Sequence, residues 1–348
     1  MGIHLPRGVP LKALLLAALL LISGRAYAVD QALIDAARKE GSVVWYSTLI
    51  VNQIVRPMVA AFEAKYPGIK VEYSRASSSD VALKIANEAR ARRVQSDLFD
   101  GSNTVFLLRD SRLVASYTPD AVKDWPTELK SKDGTWTGVN LFYWTAAYNT
   151  NLVKPEDVPK TYADLLDPKW KGKIAWTYDL TPGGPPGFVH NIVSTMGQEK
   201  GMEYLRAFAK QEPVTIPGAQ RVVLDHVISG EYPLCVMIVN YHAAISSKAG
   251  APVKWLKMEP LLNTMSLVSI TANGPHPNAA RLMVEFMLSE EGQKIMAAND
   301  YIPAHPNVAA SSPDLKPQTG GFKVNLVPPE MARDDNEKWT AIYKDLFR

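Results

Sequence analysis

Hydroxyl and amide side chains follow three predicted strands near the start of the chain, and these residue types are suited to binding chemistry. The three turns are Ser47-Thr48, Ser77-Ser78-Ser79 and Ser102-Asn103-Thr104, and each precedes a predicted helix. Such side chains, together with the unpaired N–H groups at helix starts, bind anions and oxygen-rich ligands. Ser and Thr are also ordinary helix caps, so a single turn has a structural explanation as well. Three turns of one kind favour a binding site.

Two tyrosines follow predicted strands in the second half of the chain. Tyr178 comes after the strand Ile174–Trp176, and Tyr241 comes after the apolar strand Leu234–Val239. A tyrosine at a strand end can donate a hydrogen bond to a ligand, stack on it, or coordinate a hard metal as phenolate; it can equally anchor a domain interface. The predicted ligand-binding residues are Ser47, Thr48, Ser78, Ser79, Ser102, Asn103, Tyr178 and Tyr241.

Motifs for nucleophilic, metal or cofactor catalysis are absent from the sequence. It contains no Walker loop, no G-x-G-x-x-G after a strand, no G-x-S-x-G and no H-E-x-x-H. The glycine cluster Gly183–Gly187 includes two prolines and is better interpreted as a loop. The only cysteine, Cys235, lies inside an apolar run, which indicates a buried thiol. We therefore predict no catalytic residue and no cofactor, and retain a secreted α/β enzyme only as a minor alternative.

The first 28 residues have the features of a secretory signal peptide. Arg7 and Lys12 precede the apolar run 13–22, and Ala26-Tyr27-Ala28 is a small-x-small cleavage site. The run is too short to span a bilayer about 30 Å thick. Cleavage after Ala28, without a cysteine there to carry a lipid, predicts a protein released into the periplasm.

The charge of the chain becomes balanced once this leader is removed. Taking Arg7, Lys12 and Arg25 from the 38 basic residues leaves 35, equal to the 35 acidic ones. A neutral chain lacks the positive surface that nucleic acid requires. We therefore expect no nucleic-acid partner, and a monomer that binds a small molecule or anion.

Strands and helices alternate through the first mature segment. Strands predicted at Val43–Tyr46, Ile69–Tyr73 and Asp97–Asp100 are separated by amphipathic helices, an order typical of a parallel or mixed sheet covered by helices. In such a sheet the carboxyl ends of the strands face one crevice, so the three polar turns should converge there.

The second segment repeats this organisation. Further strands are predicted at Val139–Tyr148, Ile174–Trp176, Leu234–Val239 and Met265–Thr271, with helices between and after them, and the tail from Pro306 is predicted to be irregular until a helix at Asp335–Phe347. Removing 28 residues from 348 leaves 320, which exceeds the usual size of a single core and predicts two interleaved lobes.

Four stretches resemble the periplasmic solute-binding proteins of ABC importers (extracellular solute-binding family 1), in the branch that contains the ferric-ion-binding proteins. They are Val43–Ser47, Phe62–Val71, Tyr162–Ala175 and Ser289–Gln293. The resemblance implies a two-lobed α/β fold of the type II periplasmic-binding-protein kind, with mixed sheets flanked by helices and a ligand cleft between the lobes. It also implies a partner, an ABC permease in the inner membrane.

With this fold in view, the chain divides into a signal peptide, two lobes and a tail. We expect the signal peptide at 1–28, lobe 1 at 29–143 with 268–310 returning to it, lobe 2 at 144–267, and a tail at 311–348 packing across the lobes. A hinge is expected at the strands near Trp144–Asn149 and Leu267–Thr271.

The nature of the ligand is less constrained than the fold. Ferric-binding relatives offer a tyrosine pair after the strand that here ends at Val239, and this chain has Tyr241-His242 there. Because one tyrosine of that pair is missing and the first loop has no histidine, we predict a small organic acid, phosphonate or sugar phosphate as the ligand. The alternative is ferric ion, with or without a bridging anion, held by Tyr178, Tyr241 and His242.

Overall fold

A mixed β-sheet of twelve strands forms the centre of the described part of the molecule. The computed structural model describes residues 29–109 and 111–347, so the predicted signal peptide and its cleavage site lie outside the described residues. The strands are β1 Ser42–Ser47, β2 Lys70–Arg75, β3 Leu98–Gly101, β4 Val114–Ala115, β5 Thr137–Asn149, β6 Ile174–Thr177, β7 Val214–Ile216, β8 Leu234–Val239, β9 Val253–Trp255, β10 Leu261–Thr271, β11 Ile302–Pro303 and β12 Val324–Leu326.

Thirteen α-helices pack around this sheet within the described ranges. They are α1 Gln31–Glu40, α2 Arg56–Lys65, α3 Ser78–Arg90, α4 Thr104–Arg109, α5 Pro185–Met196, α6 Gln198–Ala209, α7 Gln220–Ile228, α8 Asn240–Lys248, α9 Pro277–Leu288, α10 Glu290–Ala298, α11 Pro317–Gly320, α12 Pro329–Asp334 and α13 Asn336–Phe347. Asp30, Ser77 and Ser289 cap α1, α3 and α10 by accepting N–H bonds. None of the described helices is both long and apolar enough to cross a bilayer.

The order of the strands brings several carboxyl ends together. The order is β2-β1-β3-β10-β5-β8-β6-β7. β1 pairs in parallel with both β2 and β3, and β6 pairs in parallel with both β7 and β8. Turns that follow parallel neighbours lie at the same edge of a sheet. The turns after β1, β2 and β3 therefore form one group, and those after β6 and β8 form another.

Two long antiparallel strands connect these two halves of the sheet. β5 pairs with β10 from Thr137 to Trp144 and then with β8 from Trp144 to Tyr148. β10 pairs with β5 along its centre and with β3 from Leu267 to Ile270. The pairing register shifts between Thr145 and Ala146 and between Ser266 and Leu267. Such irregularities bend strands, and both lie in or beside the segments expected to form the hinge.

The apolar residues form separate cores on the two halves. The first core contains Trp45, Phe62 and Phe286, and the second contains Trp176 and Phe208. A smaller third cluster contains Cys235, whose thiol is buried. Separate cores on two halves of a mixed sheet are what the predicted two-lobed α/β fold requires.

The residues that follow α10 contact both halves of the sheet. β12 pairs in parallel with the start of β10, and the Trp136 indole N–H donates to Glu330 at 3.0 Å. At the other end, α13 places Tyr343 and Phe347 against Trp176, with ring centroids 5.5 and 4.9 Å apart. The prediction of an irregular segment before Asp335 was wrong for α11, β12 and α12, because pieces of three to six residues carry no readable periodicity.

Candidate functional site

The turns after β1, β2 and β3 meet at Gly101. A Cβ atom on this glycine would lie 2.2 Å from Thr104 Oγ1, 2.7 Å from Ser78 Oγ and 3.2 Å from Thr48 Cγ2. Thr104 Oγ1 also donates to the Ser78 carbonyl oxygen at 3.4 Å. Thr48 from the first turn and Ser78 from the second therefore lie close together. They meet at the end of β3, where the third turn begins.

Asp100 holds the first of these turns in place through hydrogen bonds to its carboxylate. Its carboxylate is fully buried and accepts hydrogen bonds from the Trp45 indole N–H at 2.8 Å, the Thr48 N–H at 2.8 Å and the Thr48 hydroxyl at 2.6 Å. Burial raises the pKa of this carboxyl group, while the hydrogen bonds from Thr48 and Trp45 act in the opposite direction. Ser47 is buried and Thr48 is half-buried, so Ser47 supports the turn and Thr48 lines its surface.

The other predicted residues of the first half lie at the rim. Ser79, Ser102 and Asn103 are exposed, whereas Ser78 is half-buried in the first turn of α3. The Asn103 carbonyl oxygen accepts the Phe106 N–H at 3.1 Å. Arg75, at the end of β2, is also exposed, and its Nε donates to the Thr48 carbonyl oxygen at 3.4 Å. A guanidinium group therefore lies beside the hydroxyl-rich turns.

Two buried tyrosines face each other next to these turns. Tyr241 in the first turn of α8 stacks on Tyr301, which precedes β11, with ring centroids 5.9 Å apart and ring planes 28° apart. Tyr241 is 4% exposed and Tyr301 is 6% exposed. Burial raises the pKa of the Tyr301 phenol, and the Ile50 N–H, Asp100 and Arg75 also act on it, so this hydroxyl lies close to the first turn. Tyr301 thus links Tyr241 to the first turn.

Burial sets the protonation state of this tyrosine pair. It raises the pKa of both phenols above the ordinary value, and the charge of a Tyr301 phenolate would raise the pKa of Tyr241 further through repulsion. Both hydroxyl groups are therefore protonated in the free protein at neutral pH. A ligand that requires phenolates must supply enough positive charge to displace the two protons.

The remaining predicted residues lie on the second half. Tyr178 follows β6 and is 49% exposed. Because β6 and β8 are parallel, Tyr178 lies at the same edge of the sheet as the turn after β8. His242 contacts the Tyr241 ring at 4.6 Å, and its Nδ1 is buried without a hydrogen-bond partner among the described residues. Burial lowers the pKa of His242 to about 4, so the imidazole is neutral and able to act as a ligand.

Carboxylates and imidazoles alone do not form a metal site here. Among the described residues, no group of three His, Cys, Asp or Glu side chains could hold a metal ion. A hard cation at this place would need phenolate oxygens and an external anion. A cavity of about 580 Å³, lined by residues of α8, Trp255 and Lys257 among others, includes none of the predicted site residues.

Sequence reasoning missed three residues of this site: Arg75, Asp100 and Tyr301. Asp100 ends the predicted third strand, and Arg75 follows the predicted second strand without a motif. Tyr301 lies after α10, outside the turns that follow parallel strands, so strand order gave no reason to select it. The only available signal was its type, an aromatic residue with a hydroxyl group beside a short apolar segment.

The chain matches the sequence profile of the bacterial extracellular solute-binding protein family over residues 80–319. Among curated proteins it is 22% identical to the Fe(3+)-binding periplasmic protein of Serratia marcescens, covering 81% of this chain and 84% of that protein. It is 26% identical to iron uptake protein A1 of Synechocystis over 51% of each chain.

Solved structures with the same fold carry different ligands. An iron- and citrate-bound protein from Trichodesmium superposes with a TM-score of 0.73 at 18% identity, covering 88% of this chain and 99% of that one. Iron-bound HitA from Pseudomonas aeruginosa gives a TM-score of 0.71 at 24% identity, with the same coverage. AfuA from Actinobacillus pleuropneumoniae, with bound fructose-6-phosphate, gives 0.67 at 20% identity, covering 88% and 98%.

Proposed function

Because this chain belongs to the bacterial extracellular solute-binding protein family, a family of transport proteins and not of enzymes, we propose that it captures ferric iron together with a small anion for an ABC importer. Proteins of this family bind small ligands and deliver them to a membrane permease. The sequence favoured a small organic anion as the only ligand, with ferric ion as the alternative. Ferric ion is the ligand proposed here. It adds Tyr301 to the residues that would bind iron.

The stacked pair Tyr241 and Tyr301 is the observation that carries this proposal. Phenolate oxygen is a hard ligand that suits a trivalent cation, and the two rings lie 5.9 Å apart beside the first turn. The sequence after β8 contains one tyrosine, Tyr241, where the ferric-binding relatives have two. Tyr301 supplies a second phenol from a different part of the chain. Tyr178 and His242 remain further candidate ligands from the second half.

The anion would occupy the hydroxyl-rich turns beside the tyrosine pair. Thr48 and Ser78 lie together at Gly101, and Arg75 donates to the Thr48 carbonyl oxygen. A carboxylate or phosphate bound there would accept hydrogen bonds from these groups and complete the coordination of the iron. The iron- and citrate-bound Trichodesmium protein gives a precedent for such a pair of ligands.

A visible charge-transfer band tests the iron proposal. Metal-free protein titrated with ferric citrate should develop a tyrosine-dependent band at a stoichiometry of one, and Tyr241→Phe or Tyr301→Phe should remove or strongly shift it. Tyr204→Phe is the matched control, because Tyr204 is also buried but donates its hydroxyl to the Tyr162 carbonyl oxygen in the second core. A colourless wild-type protein that binds no iron would contradict the proposal.

A phosphorylated or carboxylated organic anion alone is the second candidate. Arg75 beside the hydroxyl groups of Thr48 and Ser78 favours it, as does the fructose-6-phosphate in AfuA. Calorimetry of the metal-free protein with fructose-6-phosphate and with citrate distinguishes the two. If the anion binds without metal, Arg75→Gln should abolish binding. Tyr241→Phe should then cost only about 0.5–1.5 kcal/mol, or about 3 if the hydroxyl meets a charge.

We further propose export to the periplasm as a monomer without nucleic-acid partners, with cleavage after Ala28. The family relationship and the sequence of the leader support this location. N-terminal sequencing of the protein recovered from periplasmic extract should begin at Val29. Recovery of the uncleaved chain with the membrane fraction would contradict it.

A further inference from the structure

Ser42, His276 and Asp97 form a hydrogen-bonded chain far along β1 from the binding turns. Ser42 Oγ lies 3.1 Å from His276 Nε2, and His276 Nδ1 lies 2.8 Å from Asp97 Oδ2. Ser42 begins β1, Asp97 directly precedes β3 and His276 directly precedes α9. A hydroxyl, an imidazole and a carboxylate joined in this order are the parts of an activated serine.

The surroundings of Asp97 determine which nitrogen of His276 carries a proton. Asp97 is 1% exposed and accepts the backbone N–H groups of Val44 and His276, each at 2.7 Å. An ionised carboxylate has no proton to donate, so it must also accept the hydrogen bond from Nδ1. Nδ1 therefore carries the ring proton. In the neutral ring Nε2 then has a free lone pair that accepts the Ser42 hydroxyl. This is the tautomer that a general base requires.

The position of the carboxylate is fixed by close packing. A Cβ atom on Gly274 would lie 2.9 Å from Asp97 Oδ1 and 2.8 Å from the Ser96 carbonyl oxygen. The loop before His276 therefore passes against Asp97 at a distance that only glycine permits. At the other end of the chain, Ser42 and His276 are partly exposed, and the His276 side chain is 23% accessible. This end of the hydrogen-bonded chain is therefore partly open to solvent.

We propose that Ser42 is a reactive serine that accepts an acyl group from an activated ester, a property separate from solute binding. Ser42 Oγ forms a bond to the acyl carbon while its proton passes to His276 Nε2. The bond to the leaving group then breaks, and the leaving group departs with the bonding pair and takes the proton from His276. The products are acyl-Ser42 and the free alcohol or phenol.

The same structure predicts one acylation and no rapid turnover. The N–H groups of Asn278 and Ala279, at the start of α9, both donate to the Glu40 carboxylate. They are therefore not available to stabilise an oxyanion, the contribution that usually dominates hydrolysis. Acylation consequently needs an activated donor, and the acyl group should remain on Ser42.

Mass spectrometry with p-nitrophenyl acetate and a fluorophosphonate tests this inference on the whole mature protein. We expect one label, mapped to Ser42, and labelling slowed about 100-fold or more in His276→Gln, whose amide can still donate to Asp97. Ser42→Ala should remain unlabelled and should bind ferric citrate or fructose-6-phosphate as the wild type does. Ser194, which donates to the His190 carbonyl oxygen at 2.8 Å, is the control serine.

Three results would overturn the inference. They are no label on Ser42, equal labelling of Ser194, or an unchanged rate in His276→Gln. If His276→Gln does not fold, labelling of the wild type in urea decides the question. Unfolding separates the serine from its base, so the rate at Ser42 should fall to that of the other serines. A rate at Ser42 that is the same in the folded and unfolded protein contradicts the proposal.

Discussion

At the scale of single residues, Asp100 supports the turn after β1. It accepts two bonds from Thr48 and one from Trp45. We expect Asp100→Asn to lower the free energy of unfolding by about 1–3 kcal/mol, because the amide places N–H groups against buried donors. Chemical denaturation measures this loss. Asp35→Asn on the exposed face of α1 should stay within about 0.5 kcal/mol of the wild type, and an equal effect of the two changes would refute the role given to Asp100.

His190 gives the protein a pH-dependent stability. The ring packs against Trp339 at 4.1 Å, and burial lowers its pKa from 6.5 to about 4. Between these pH values the unfolded chain binds a proton that the folded protein does not. The free energy of unfolding should therefore fall as the pH decreases from about 6.5 to about 4, by up to about 3 kcal/mol.

His190→Phe isolates this effect because it keeps a ring against Trp339 and removes the titration. Urea unfolding at about pH 7 and about pH 4.5 should show a smaller difference in the variant than in the wild type. The same pH dependence in both proteins would mean that other groups cause it.

Individual site residues were predictable where they follow a parallel strand. Thr48 and Ser78 were selected for that reason, and the structure brings them together, although their role in binding remains a prediction. Asp100 and Tyr301 were not selected, because their importance depends on contacts with distant parts of the chain. Tyr301 stacks on Tyr241, 60 positions away in sequence, and no local pattern encodes that contact.

At the scale of elements, the close approach of three turns depends on a glycine. Gly101 has a φ of +148° and no space for a Cβ atom. We expect Gly101→Ala to push Thr104 and Ser78 apart and to weaken ligand binding, measured by calorimetry, as well as stability. Gly68→Ala is the matched control, since Gly68 also has a positive φ of +97° but no atom within 4 Å of a Cβ.

The comparison between these two variants separates backbone strain from crowding. Strain at a positive φ costs about 1–3 kcal/mol at either position, whereas only Gly101→Ala adds the steric contact. If both variants bind ligand equally well, the contact at Gly101 is not needed to shape the site.

Elements with a clear period were predicted well, and short ones were not. The strand Leu234–Val239 has the predicted bounds, because a continuous apolar run identifies it. Helix α8 gave no such signal, since it begins directly after β8 with the polar residues Asn240, Tyr241 and His242. Its first turn places Tyr241 beside Tyr301, a position that the strand alone could not predict.

At the scale of the whole molecule, we expect the two lobes to close on the ligand about β5 and β10. The register shifts near Thr145 and Ser266 lie on these strands, and strand irregularities accommodate bending. The proposed bodies are lobe 1 at 29–143 with 268–310, and lobe 2 at 144–267. Small-angle scattering should show a smaller radius of gyration with saturating ferric citrate.

The double variant with both Tyr241→Phe and Tyr301→Phe is the control. With ferric citrate added, its small-angle scattering profile should remain that of the ligand-free protein. Identical profiles for the wild type with and without verified ligand would show that binding does not close the lobes.

The packing of α13 against Trp176 also has a consequence for how the protein reaches its folded state. Tyr343 and Phe347 complete the second core, yet α13 follows β6 by more than 150 positions in sequence. Contacts between such distant segments form slowly, because the intervening loop must close before they contribute free energy. A nascent chain therefore cannot complete this core until α13 has been synthesised.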